Sequence, residues 1–287
     1  MPLPFTSNPE RTLALRLARF VVAAVAAIMA VGPVAGLVSG LFGIAPGHPA
    51  AVWLFPVLVS AALFGVTWTA LRVERDGLGS LGLVPTRQRA VEFGAGFAVA
   101  AVLFALVALV RGAAVGADWT FDAASGACAA IVGLPLAFVL MFPEELLFRG
   151  YAFRKAEALW GGPAALVVSS LLFGAYHVVG AGYWGAGALF LFAMPTLGGF
   201  VFGLAALRSG GLALPLGLHL GGNWVGASVL GLGVPEGAAL WAAPVDTAQA
   251  AWLMAPDLLP RLPYIVGVAL LAVAVLMWPK RHRQVAA

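Results

Sequence analysis

The sequence predicts an all-α polytopic membrane protein, with about eight transmembrane helices around a polar cavity embedded in the bilayer. Three observations predict it. Of 287 residues, 62% are hydrophobic and only 10% charged, a balance that makes lipid the solvent for most of the chain. Cutting at Gly, Pro and charge clusters leaves eight apolar segments, most of them near the roughly 20 residues that a helix needs to cross a core about 30 Å thick. The basic residues, finally, gather between alternate segments, as membrane orientation requires. No length remains for a sizeable soluble domain.

The first segment, Phe20 to Leu41, follows Arg11, Arg16 and Arg19. A signal peptide also begins so, but the apolar run continues to Phe42 with no polar cleavage region, and it is read as a retained span. Ala50 to Leu71 and Val91 to Val110 complete an N-terminal unit, residues 1–126, with a cytoplasmic loop at 72–90. Ala127 to Leu147, Ala164 to Val179, Ala186 to Leu207 and Leu212 to Leu230 make spans four to seven, residues 127–230. Residues 231–287 hold a stretch with Glu236, Asp246, Asp257, Trp241 and Trp252, suited to lying on the membrane surface, then the last span, Leu262 to Trp278, and a basic tail. Helices are expected because a backbone in lipid must satisfy its own hydrogen bonds, and the alternation of a barrel strand is missing. Gly36 with Gly40, and Gly222 with Gly226, have the spacing that lets helices pack closely.

With the N-terminus inside, fourteen Lys and Arg residues fall in inner loops and two, Arg111 and Arg261, in outer ones. This asymmetry predicts a multi-pass protein of the cell membrane with both termini cytoplasmic. The net charge of +4 forms no single basic patch, so nucleic acid is not expected as a partner. The single cysteine, Cys128, excludes an internal disulfide and a Cys-rich metal site.

Polar groups enter apolar surroundings in three places: Pro143 to Arg149, Phe173 to His177, and His219 to Asn223. Ionisable groups at bilayer depth are costly and mark function by default. Glu145 and Arg149 stand i,i+4 with the acid first, the favourable order for an ion pair, so Glu145 is expected to be ionised and structural. Glu144 points about 100° away around the helix, without that cation, and desolvation would make it a useful general base. A chain reversal near Gly161 and Gly162 would bring His177 to almost the depth of Glu144. Phe173, one turn before His177, either closes the cavity or fills core. His219 and Asn223 share one helix face, beside which Gly217, Gly221 and Gly222 leave room for a backbone or a substrate; their N–H groups suit an oxyanion hole or an interhelical hydrogen-bond pair. His48 and His282 look solvated and receive no role.

Glu-Glu-x-x-x-Arg, Phe-x-x-x-His and His-x-x-x-Asn, in that order over about Gly133 to Gly226, resemble the three motifs of the CAAX-endopeptidase and bacteriocin-processing (CPBP, Abi-type) family. The resemblance implies an intramembrane endopeptidase acting on a membrane-associated peptide or protein. In it, the position of Glu144 activates water with help from His177, and the positions of His219 and Asn223 stabilise the oxyanion. Glu145, Arg149 and Phe173 support them. Direct water activation, without a metal, is the expectation; the zinc alternative would use His177, His219 and Glu144 as ligands. Two other readings remain open, a non-catalytic immunity or scaffold protein and a proton-coupled transporter relaying through Glu144, Glu145 and His177.

Overall fold

The computed structural model describes residues 9–45, 48–182, 184–185, 187–255 and 257–280; His282 lies outside them. Each of the eight apolar segments falls on a helix: α1 (Pro9–Phe42), α2 (Pro49–Val73), α3 (Arg87–Ala114), α4 (Ser125–Arg149), α5 (Tyr151–Ala181), α6 (Ala188–Ser209), α7 (Ala213–Trp224) and, after a short α8 (Thr247–Met254), α9 (Leu262–Met277). Among the described residues, six helical stretches are long and apolar enough to cross a membrane, and the longest, 125–181, contains both α4 and α5. The chain is a multi-pass membrane protein. Large apolar side chains such as Val22, Met29, Val102, Ile131 and Leu172 point outward, where lipid rather than water would meet them.

α7 is the exception to the span lengths. Its twelve residues and the π turn after it, Val225–Val229, fall short of the roughly 20 residues of a crossing. It is enclosed by protein instead, with every residue from Ala213 to Gly222 buried. Small residues allow this. A Cβ on Gly217 or Gly221 would collide with the carbonyls of Phe93 and Phe97, and one on Gly96 would meet Leu214 O at 2.7 Å. The room beside Gly217 and Gly221 is therefore taken by the backbone of α3, and Gly222 abuts the ring of Phe104. Gly36, Gly40 and Gly226, by contrast, have open space before them.

Two ends of the bundle are distinct. At one, Leu212 N donates to Leu81 O at 2.8 Å and Arg89 Nη1 to Ser209 O at 3.0 Å, tying the α2–α3 loop and the first turn of α3 to the α6–α7 turn. Arg16 and Lys155 both pair with Glu74 there, and Arg154 with Asp76. At the other stands a small sheet that no period in the sequence announces, of β1 (Thr120–Phe121), β2 (Leu230–Leu232) and β3 (Trp241–Ala243) in the order β1-β3-β2. β3 pairs antiparallel with β1 and parallel with β2, so it joins the α3–α4 connection to the segment after α7. Trp241 thus sits in a strand and Trp252 in α8, which Asp246 and Gln249 start with a reciprocal capping box. His48 caps α2, its Nδ1 accepting from Ala50 N at 3.1 Å.

Candidate active site

The reversal after α4 uses two hinges. The chain breaks at Gly150, runs one short helical piece, and kinks again at Gly161, whose φ of 80° favours glycine. α5 then returns beside α4, fixed by Ser169 Oγ donating to Phe148 O at 2.6 Å. This antiparallel return, centred near the predicted reversal, brings Glu144 within electrostatic reach of His177, although no hydrogen bond or ion pair joins them.

Glu145 and Arg149 form the pair their spacing predicts, with Nη1 3.2 Å from Oε1 and both side chains fully buried. The guanidinium also donates to Gly199 O at 3.1 Å and lies 4.2 Å from the centre of the Phe173 ring. Gly199 is required there, since a Cβ would stand 3.0 Å from both Arg149 Nη2 and Phe173 Cδ1.

The structure adds a contact that spacing could not give. Glu145 Oε1 also meets His219 Nδ1 at 2.8 Å. A carboxylate facing Arg149 only accepts, so the Nδ1 proton is on His219 and its Nε2 faces Glu144 Oε2, 3.8 Å away. The same logic applies to His177. Its Nδ1 lies 2.8 Å from Phe173 O, a carbonyl that can only accept, which leaves Nε2 free. Both imidazoles are thus held in one tautomer by a fixed partner.

Packing fixes their planes. Phe202 stacks on His219 with centroids 4.5 Å apart and 22° between planes, and Phe173 meets His177 edge to face at 4.6 Å. Phe173 is 2% exposed, so it fills core and walls the cavity at once. Nothing in the sequence marked Phe202, one of eighteen phenylalanines.

His177, His219 and Asn223 line one cavity of about 160 Å³ with Phe173, Phe202 and Tyr264. Asn223 also borders a larger space of about 460 Å³, walled by Leu136, Leu140 and Met141 of α4 and by Gly226. Glu145 and Arg149 lie behind His219. Among the described residues, no group of three His, Cys, Asp or Glu side chains is arranged to hold a metal ion. The cavity offers two imidazoles and an amide among largely apolar side chains; Glu144 is not among its lining residues and adjoins it through His219 Nε2, 3.8 Å away, so the components of hydrolytic chemistry stand together.

Residues 126–225 match the family model of type II CAAX prenyl endopeptidase, Rce1-like. No curated protein and no solved structure matches the chain. The matched segment, about a third of the chain, contains Glu144, Glu145, Arg149, Phe173, His177, His219 and Asn223, and over it the chain is similar to the Rce1-like CAAX endopeptidases.

Proposed function

We propose that the protein is an intramembrane endopeptidase of the cell membrane, with both termini cytoplasmic, that hydrolyses a membrane-associated peptide or protein. The observation that carries the reading is the convergence of His177, His219 and Asn223 on one cavity, with Glu144 Oε2 3.8 Å from His219 Nε2.

In the mechanism, Glu144 takes a proton from a water held between it and Nε2 of His177. The hydroxide adds to the scissile carbonyl. The oxyanion receives a hydrogen bond from the Asn223 amide, and from His219 Nε2 when that ring carries its second proton, because Nδ1–H is already committed to Glu145. Glu144 then returns its proton to the leaving amine as the C–N bond breaks, so protons balance over the cycle. Glu145 holds His219 and is not itself a proton donor or acceptor in the reaction.

The test is direct. Purified protein in liposomes should release the C-terminal fragment of a prenylated CAAX peptide, and metal analysis should find no stoichiometric ion. No hydrolysis of that peptide or of membrane-anchored peptides would overturn the reading. One zinc per chain whose removal and return switched activity off and on would replace water activation by Glu144 with a metal mechanism.

A further inference from the structure

Of sixteen Lys and Arg residues, Arg111 and Arg261 alone stand apart from the basic loops, and the fold brings these two together although 150 residues separate them in sequence. Arg111, in the last turn of α3, donates from Nη2 to Leu253 O at 3.3 Å. Arg261, just before α9, donates from Nη2 to Met254 O at 3.2 Å and Ala255 O at 3.1 Å. Three successive carbonyls at the end of α8 therefore seat both guanidinium groups side by side.

That helix end supplies only about half a negative charge against two positive ones. Among the described residues, neither guanidinium forms an ion pair with a carboxylate; Asp118 and Asp257, the acids nearest in sequence, are exposed. In both arginines the Nε atom is buried and has no hydrogen-bond partner. With Nε enclosed, the Nη groups of the two adjacent guanidiniums are what an oxyanion such as phosphate can reach. The surroundings specify where such an anion comes from. Met254, Leu258 and Leu259 are exposed around the pair, and the Phe190 ring lies 5.4 Å from the Arg261 guanidinium. Exposed apolar groups beside paired cations are what the headgroup level of a bilayer accommodates.

We propose that Arg111 and Arg261 together bind the phosphate of an anionic phospholipid, at the end of the bundle opposite Glu74. The site is separate from the catalytic cavity and does not depend on the protease reading.

Thermal unfolding of the detergent-purified full chain tests it, with phosphatidylglycerol, phosphatidylcholine or inorganic phosphate added. Phosphatidylglycerol should raise the midpoint by about 4 °C or more, phosphatidylcholine by far less, and the Arg111→Gln/Arg261→Gln protein should lose the difference. Should the double variant not fold, Arg261→Gln against Arg261→Lys reads the same contrast, since only the lysine keeps the charge. Native mass spectrometry should find phosphatidylglycerol retained by the wild type and not by the variant. An equal shift with inorganic phosphate alone would overturn the lipid assignment. No shift with phosphatidylglycerol, or a shift that survives neutralisation of both arginines, would overturn the site.

Discussion

Glu145 with Arg149 and Glu74 with Lys155 are both carboxylate–cation pairs near helix ends, yet the first is sealed and the second is wet. Both members of the inner pair are 0% exposed, whereas Glu74 is 10%, Lys155 16% and Arg16, the third member of the outer cluster, 44% exposed. The inner pair has exact obligations. Each partner serves a second group, His219 for Glu145 and Gly199 O for Arg149. The outer cluster is redundant, because Glu74 draws on Lys155, Arg16 and the Tyr151 hydroxyl together. Burial thus converts an ordinary pair into a device that holds a candidate catalytic histidine, while the exposed cluster only fastens α1, α2 and α5 together.

The contrast is broken or sharpened by substitutions of graded effect. Arg149→Ala leaves Glu145 uncompensated in an apolar interior and should cost about 3–5 kcal/mol, read as a lowered unfolding midpoint and poor membrane yield. A loss below about 1 kcal/mol would mean that the inner pair is no more demanding than the outer.

His219→Ala and Asn223→Ala should each reduce cleavage by roughly 10² to 10³, the usual magnitude for one oxyanion donor. Because both would serve one oxygen, the double variant should fall short of the product of the two losses; full multiplicativity would assign them to separate tasks.

Glu74→Gln should cost about 1 kcal/mol or less, since its cluster is partly solvated. Burial pushes the Glu74 carboxyl up, but hydrogen bonds from Lys155 and Tyr151 and the charges of Lys155 and Arg16 outweigh it and hold the group below the usual carboxylate range. A depressed folded value means that the stabilisation is complete above the unfolded value, about 4.3, and disappears as pH falls through the folded one. Unfolding midpoints measured from about pH 6 down to 3 should therefore fall more steeply for wild type than for Glu74→Gln. The smallest effect belongs to Asp76→Asn. Its partner Arg154 is 3.4 Å away with both side chains roughly a third exposed, and a few tenths of a kcal/mol is the most it should cost.

Local spacing made much of this legible. The eight apolar segments, the i,i+4 pair of Glu145 and Arg149, and the shared face of His219 and Asn223 all follow from periods of one helix. What sequence could not supply were contacts between helices. Glu145 reaches His219 across 74 residues, so a side chain read as structural proves to orient the imidazole beside it. Phe202 gave no signal because an apolar residue on an apolar helix looks like any other until packing selects one. Gly217 and Gly221 were visible as small, but whether a backbone or a substrate fills the space beside them depends on α3, whose Phe93 and Phe97 carbonyls occupy it. The three short strands were missed for a related reason: two or three residues are too few to show a period, and the pairing of β3 with β1 depends on chain about 120 residues away.

The most direct test of the account separates the two adjacent glutamates. Cleavage rate and unfolding midpoint are measured on purified Glu144→Gln and Glu145→Gln proteins beside the wild type. Glu144→Gln should lose roughly 10² to 10⁴ in rate with its midpoint unchanged, while Glu145→Gln lowers the midpoint and reduces the rate through a loosened His219. Glu144→Gln protein that cleaves at the wild-type rate would contradict it.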